Sequence, residues 1–478
     1  MVTFYWFDYE TFGTHPAWDH PCQFAGVRTD LDLNVIGEPM TLYCRQPTDY
    51  LPHPAACRVT GITPQHANEK GLPETEFIQR IVDEIGRPET CSAGYNSIRF
   101  DDEFTRHTLF RNLRDPYEQE WKDGNSRWDL IDVVRLTRAL RPEGIQWPVD
   151  DDGSATNRLE LLSAANGITH SQAHDAMSDV WATIGMARLI RERQPRLFDF
   201  VFGHRDKHSV AELLDTRQRK PCLQASGMIP GSRHHLGAIL PLMPHPENRN
   251  GIIVLDLQQD PRYLLDLDAE EIARRLYQPG NERREGDAPR PGLRTVQINK
   301  CPVIVPVSTL REEDASRLDM DRGQISQHAR WAEQLCSGDM LKRIGQVMTR
   351  SWQDDSLQDI DGTLYSGDFL STSDKQALAD IRTLSPERLA QELDQHAGRF
   401  DDRRLDEMIW RYLARNFPEA LDADQQRRWK EHCTARLNDE EAAWLSRQSY
   451  QQALNAIDWL PAEQELERAL RDYPASIA

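Results

Sequence analysis

The sequence predicts an α/β protein in three parts: a mixed-sheet domain first, a β-rich middle region, and a helical C-terminal region. Three observations carry this. Residues 1 to about 190 alternate β-branched and aromatic runs with stretches of helical period. Short apolar runs punctuated by Gly, Pro and Asn follow. From about Gln327 onward, long polar–apolar stretches keep a helical period. At 478 residues the chain is too long for one ordinary core and matches about three domains of typical size.

Each element follows from its local pattern. VTFYWFDYE is aromatic and β-branched and predicts a strand. Alternate residues of a strand share a face, so Asp8 and Glu10 project together. TCSAGYNSIRFDDEFTRHTLFRN predicts a short buried strand, a turn over Gly94 to Asn96, and a helix opening near Phe100. Asp101 then lies in the first helical turn, where the helix dipole favours an acid. AHDAMSDVWATIGMARLIRERQP predicts a helix with an apolar stripe at Ala176, Val180, Ile184, Ala187 and Ile190. Asp179 lies beside that stripe and His174 just before the helix. After Pro195 and a helical connector around Leu197 to Leu214, the runs CLQASGMI, HHLGAILPLM, GIIVLDL and TVQINKCPVIVPV predict a small β-barrel-like middle domain. PGNERREGDAPRPGL is a polar loop, and RLDEMIWRYLARNFP and DEEAAWLSRQSYQQALNAI are helical in period. The chain has no internal repeat and no low-complexity tract.

Composition narrows the setting. A mean hydropathy of −0.67 and the absence of a long apolar run argue against a membrane span, and the strand-like, acid-containing N-terminus is no signal peptide. Eight cysteines without a C-x-x-C pair argue against a disulfide framework or zinc site and fit a reducing cytoplasm. The net charge of −20 opposes a general attraction to nucleic acid. Local charge differs: Arg106, Arg111, Arg114, Arg127, Arg135, Arg138 and Arg141 are interleaved with Tyr117, Trp121 and Trp128. Arginine for phosphate with aromatics for bases is what a single-strand groove requires. Trp128, inside RWDLIDVV, reads as core.

Asp8-x-Glu10, Asp101 and His174-x-x-x-x-Asp179 together predict a two-metal site that cleaves phosphodiesters. Hard divalent cations take carboxylate oxygens and keep waters for substrate phosphate. Two such ions clamp the attacking and leaving oxygens of an in-line displacement. A histidine with an ordinary pKa near about 6.5 suits removal of a proton from water at neutral pH. The division of labour is therefore Asp8, Glu10, Asp101 and Asp179 as metal ligands and His174 as base. Singly, an acidic pair on a strand is ordinarily a solvated edge and an acidic first turn is explained by the dipole. Their joint occurrence in order is what points to chemistry.

WFDYET, YNSIRFDDEF and AHDAMSD resemble the three exonuclease motifs of the DEDD superfamily, and the His-x-x-x-x-Asp spacing resembles its histidine branch. NSRWDLIDVVR, RPEGIQWP, HPENRN, INKCPV and YLARNFP extend the likeness to the bacterial exodeoxyribonuclease I family. The resemblance implies a ribonuclease H-like exonuclease domain with a mixed sheet over residues 1–190. It further implies an SH3-like β-barrel domain that binds DNA over 195–348 and an α-helical C-terminal domain over 351–478, which close into a C-shaped channel. The implied activity is processive 3′-to-5′ hydrolysis of single-stranded DNA to 5′-mononucleotides, with two Mg²⁺ ions per site and Mn²⁺ as a substitute, in DNA repair and recombination. Arg106, Tyr117, Trp121 and Arg135 are the implied strand contacts, with Arg158 in NRLELL on the scissile phosphate and Glu10 also at the substrate. A fixed guanidinium near the metals has a direct rationale, since it holds phosphate bidentately. The implied protein partner is the single-stranded DNA-binding protein through its acidic C-terminal tail, with Arg141 as a candidate dock, and a channel closed within one chain makes a monomer sufficient. Two alternatives stay open: an RNA-trimming or proofreading exonuclease of the same chemistry, and a non-catalytic single-strand-binding scaffold.

Overall fold

The aromatic run at the N-terminus forms β1 (Thr3–Thr11), and its alternation decides what each face does. Tyr5, Phe7 and Tyr9 enter a core with Phe24, Phe77, Ile78, Ile81 and Leu109, while Asp8 and Glu10 stand on the other face. Truncating a ring as enclosed as Phe77 costs about 3–5 kcal/mol, so this alternation fixes the strand firmly. The computed structural model describes residues 2–168, 175–284, 286–336, 338–349, 359–367 and 369–477. The chain divides into two compact units: Met1–Ser126, His170–Ile184 and Asp354–Ala478 form the first, and Arg127–Thr169 and Gly185–Gln353 the second.

In the first unit β2 (Pro21–Thr29) runs antiparallel to β1, β3 (Met40–Tyr43) antiparallel to β2, and β4 (Thr90–Gly94) parallel to β1, so the sheet is mixed. The register sets Asp8 opposite Ala25 and Glu10 opposite Gln23, with an irregularity just beyond Glu10. Helices Glu74–Ile85 and Asp101–Arg111 supply Phe77, Ile78, Ile81 and Leu109 to the core beneath. The turn after β4 needs its glycine: a Cβ on Gly94 would lie 2.6 Å from Ser97 Cβ and 3.0 Å from the Phe7 carbonyl oxygen. Asn96 takes the left-handed conformation at φ 65°, and the chain then enters the helix at Asp101, as the sequence predicts.

The C-terminal helices of the same unit share apolar cores with this layer. Phe110 and Leu113 pack with Leu405, Ile409, Leu413 and Trp410 of the helix Arg404–Asn416. Phe12, Tyr50 and Leu51 pack with Leu437, Tyr450, Leu470 and Tyr473. An ion-pair network reinforces the junction. Arg415 Nη2 sits 2.7 Å from Asp49 and 2.6 Å from Asp361, Arg411 Nη1 holds Asp359 at 2.9 Å, and Arg436 also pairs with Asp359.

β5 (Ser126–Asp129) leads into the helix Leu130–Leu140 of the second unit, whose first turn is capped by Asp129 accepting from Ile131 N at 3.0 Å. Trp128 is core, as its context predicts, with its ring edge-on to Phe198 and Phe202. Strands β6 (Cys222–Ala225), β7 (Leu236–Pro244), β8 (Gly251–Asp256), β9 (Leu293–Gln297) and β10 (Val303–Pro306) form an antiparallel sheet in the order β10-β6-β7-β8-β9. Every apolar run read as a strand is one, but the barrel is not closed: among the described residues no ladder joins the edges β9 and β10. The edge strand itself supplies a reason. β10 is four residues long and bounded by Pro302 and Pro306, which have no N–H to donate to a further ladder. Val210 and Leu214 pack against Cys222, Ile239, Val254 and Ile304 on one face of this sheet. No helix among the described residues is long and apolar enough to cross a membrane, and none of the eight cysteines is in a disulfide.

Candidate metal centre

The strand and two helix starts bring the predicted acids together. Carboxylate oxygens of Asp8 and Glu10 on β1 and of Asp179, in the first turn of the helix Ala176–Arg193, all lie within 4.8 Å of one another. Asp101 reaches the same strand: its Oδ1 accepts from the Tyr9 backbone N–H at 3.0 Å, the residue between Asp8 and Glu10. Thr105 Oγ1, one turn along the Asp101 helix, donates to Tyr9 Oη at 3.0 Å, which ties that helix to the far face of the strand.

Electrostatics in the cluster are unfavourable without a cation. Burial, and then the charges of Asp101, Asp179, Glu10 and Asp175, raise Asp8 well above the ordinary carboxylate range. Burial and then Asp179 and Asp175 push Glu10 up to about 8. Among the described residues no lysine or arginine offsets this at Glu10. Closely spaced, half-buried oxygen ligands with unrelieved mutual repulsion are the donor set a hard divalent cation takes, and Asp8, Glu10 and Asp179 are the residues that would hold it.

Asp175 and Gln23 belong to the site and escaped the sequence reading. Asp175 Oδ2 accepts from Ser178 N at 3.3 Å, capping the Asp179 helix, and its Oδ1 accepts from Gln23 Nε2 at 3.2 Å. Gln23 Oε1 in turn accepts from Ala176 N at 3.1 Å. Because Gln23 faces Glu10 across the β1–β2 ladder, this one side chain registers the helix that carries Asp179 against the strand that carries Glu10. An aspartate directly before an apolar-periodic stretch is an N-cap signal, so Asp175 was within reach of sequence reasoning; Gln23 was not. His174, the predicted base, lies outside the described residues.

The predicted strand contacts differ in their surroundings. Arg106 is buried, with Nε 2.6 Å and Nη2 2.9 Å from the Glu120 carboxylate, and Nη1 2.9 Å from Glu103 and 3.1 Å from Tyr365 Oη. Tyr117 packs under the Arg106 guanidinium and edge-on to Phe369, which is 83% exposed. Trp121 is 64% exposed. In the second unit Arg135 holds Asp132 at 2.6 Å, and Arg158 is largely exposed with its Nε 2.9 Å from Glu160. Arg141 pairs with Asp314 at 3.0 Å and donates to the Thr309 carbonyl at 3.0 Å.

A strand and two helices presenting clustered acids in a mixed-sheet domain define a nuclease of the exonuclease class, and the Exonuclease family model matches residues 5–186. The Exonuclease I SH3-like domain matches residues 205–350 and the Exonuclease I C-terminal domain residues 358–477. The chain belongs to the exodeoxyribonuclease I family. It is 46% identical to the exodeoxyribonuclease I of Escherichia coli over 430 residues, covering 90% of this chain and 89% of that one. Among solved structures it is similar to an exonuclease I from Methylocaldum szegediense, with a TM-score of 0.92 and 47% identity over all of both chains. It is also similar to E. coli exonuclease I in complex with a dA16 oligonucleotide, with a TM-score of 0.91 and 42% identity over all of both chains. The fold is thus a ribonuclease H-like exonuclease domain, an SH3-like domain whose sheet is open, and a helical C-terminal domain.

Proposed function

We propose that this protein is a processive 3′-to-5′ exonuclease on single-stranded DNA that releases 5′-mononucleotides. The observation that carries this reading is the acid cluster: Asp8 and Glu10 on one strand and Asp179 on one helix held within 4.8 Å of one another, in a chain of the exodeoxyribonuclease I family. The E. coli relative crystallised with a dA16 oligonucleotide supports the same substrate class.

Asp8 and Glu10 on the strand and Asp101 and Asp179 at helix starts would hold two divalent cations, Mg²⁺ with Mn²⁺ as a substitute. When bound, such ions stabilise charge on the phosphodiester and acidify water. Tyr9 N–H keeps Asp101 at the strand, and Gln23 with Asp175 fixes the helix of Asp179. His174 accepts the proton of the attacking water. The water oxygen bonds to phosphorus at the terminal linkage, the bond from phosphorus to the 3′-oxygen of the preceding nucleotide breaks, and that oxygen takes a proton from solvent. Arg158 orients the phosphate by exchanging Glu160 for it, and Trp121, Tyr117, Arg106 and Arg135 guide the strand, the two arginines by yielding their carboxylate partners. Processivity requires that the strand stay bound between cuts. The protein acts as a monomer in cytoplasmic DNA repair and recombination, with the acidic tail of the single-stranded DNA-binding protein docking near Arg141.

The test uses 5′-labelled single-stranded DNA, single-stranded RNA and duplex DNA with Mg²⁺ or EDTA and excess unlabelled trap strand. Mg²⁺-dependent shortening of single-stranded DNA alone from its 3′ end, continuing after trap addition, is the expected result. Preference for RNA, or arrest at each cut, moves the function to an RNA-trimming or proofreading enzyme. Tight binding without cleavage makes the chain a scaffold. His174→Ala is expected to slow cleavage about 10²–10⁴-fold.

A further inference from the structure

The far end of the Asp101 helix carries a second cluster of unusual charge. The helix Asp101–Arg111 is 11 residues long, which at roughly 1.5 Å per residue sets its C-terminal end about 15 Å from Asp101. Just past that end, a cavity of about 560 Å³ opens between this helix, Glu74–Ile85 and the C-terminal helix Thr372–Ile381. Arg114 and Arg382 both line it.

Among the described residues no carboxylate lies within ion-pair distance of Arg114 or Arg382, and Arg114 Nε is buried without any hydrogen bond. Burial and then the charge of Arg382 push Arg114 down to about 10. Arg382 is anchored at one corner, where Nη1 donates to the Leu113 carbonyl. Asp83 exerts a favourable field on Arg114, and the acids that line the cavity are engaged or exposed. Asp115 holds Lys375 at 2.5 Å, Glu118 holds Lys122 at 2.8 Å, Asp83 accepts from Gln79, and Asp123 is exposed at the rim. The helix C-terminus accounts for one cation through its dipole, but two adjacent, half-buried guanidiniums with no ion-paired carboxylate among the described residues remain costly until an anion meets them. The wall is mixed: Val82, Leu109, Leu113, Leu370 and Leu378 give it an apolar patch, and the acids Asp115, Glu118 and Asp123 and the lysines Lys122 and Lys375 also line it.

We propose that Arg114 and Arg382 form a binding site for a small phosphate monoester of nucleotide size, its phosphate between the two planar forks and its organic part against the apolar patch of Leu109, Leu113, Leu370 and Leu378. Arginine forks match phosphate bidentately, and the cavity falls in the range of small-ligand sites of about 300–1,000 Å³. The site is distinct from the acid cluster and does not depend on cleavage.

Titration calorimetry of the full chain with dAMP in EDTA tests this, since EDTA silences any phosphate site that needs divalent ions. One dAMP per chain is expected, with inorganic phosphate weaker and deoxyadenosine not bound. Arg114→Gln and Arg382→Gln should each weaken dAMP about tenfold or more, and Arg114→Lys, which keeps the charge but loses the fork, should fall between. Unfolding curves matching wild type verify that the variants are folded. No dAMP binding in EDTA, affinity unchanged in both Gln variants, or equal affinity for inorganic phosphate would overturn the proposal. Failure here leaves the exonuclease reading intact, because that reading fails only on DNA cleavage in Mg²⁺.

Discussion

Two buried groups of carboxylates in the first unit have opposite fates. In the junction network, burial alone would raise Asp49 and Asp361, yet Arg415, helped by Arg436 at Asp49 and Arg411 at Asp361, holds both well below the ordinary range. In the cluster on β1, burial and neighbouring acids act in the same direction and push Asp8 and Glu10 up. The residue types are the same; the difference is whether the chain supplies the countercharge. Where it does, the group is architecture that joins C-terminal helices to the nuclease layer. Where the described residues supply none, at Asp8 and Glu10, the group is built for a cation that arrives from outside.

The contrast predicts opposite outcomes for similar substitutions. The largest effect is on activity: Asp8→Ala or Asp179→Ala should reduce cleavage of labelled single-stranded DNA to background while leaving the thermal transition in EDTA unchanged or raised, because a repelling charge has gone. Full activity in either variant would remove that residue from the metal set. Next in size, Asp49→Ala should destabilise the protein by about 3–5 kcal/mol by stranding Arg415 in the interior, measured by urea unfolding, with cleavage at low temperature retained. An unchanged midpoint would demote the network to decoration.

The pH response should also split. Glu10 binds its proton more tightly in the folded protein than in the unfolded chain, so its contribution to stability is present below pH 4.5 and is lost as pH rises toward about 8. Asp49 and Asp361 have depressed values; their contribution is full above the unfolded value near 3.8 and is lost as pH falls through the folded ones. Thermal unfolding in EDTA should therefore show an acid loss from the network and an alkaline decline from the cluster, and only the second should be reversed by Mg²⁺. A Mg²⁺-insensitive alkaline limb would break the comparison. The smallest effect is at the exposed aromatic: Trp121→Ala should weaken oligonucleotide binding by about 1–3 kcal/mol, the scale of one stacked base, in a fluorescence titration. An unchanged dissociation constant would take Trp121 out of the strand path.

What was legible in the sequence follows the same division. Asp8, Glu10, Asp101 and Asp179 were readable because period-2 alternation and helix-start signals place them on faces without reference to distant chain. The stripe Ala176, Val180, Ile184, Ala187 and Ile190 is buried throughout for the same reason. Gln23 was invisible because its value lies in bridging to a helix 153 residues away. Asp49 and Arg415 are 366 residues apart, and no local pattern announces that pair. Arg106 shows a half-legible case: its partner Glu103 stands at a readable i, i+3 spacing, whereas Glu120 and Tyr365 reach it only through the tertiary fold. Closure of the middle sheet was equally beyond the pattern, since alternation gives strands but not whether the outermost two pair.

The most direct test of the central contrast is proton release on Mg²⁺ binding, followed with a pH indicator at pH 7 in weak buffer and without DNA. Carboxyl groups held protonated by one another must give up protons when a cation enters. Wild type should release protons with saturable Mg²⁺ dependence, Asp8→Asn should release markedly fewer, and Asp361→Asn should match wild type. Mg²⁺ binding with no proton release from wild type, or equal release from Asp8→Asn, would contradict the account.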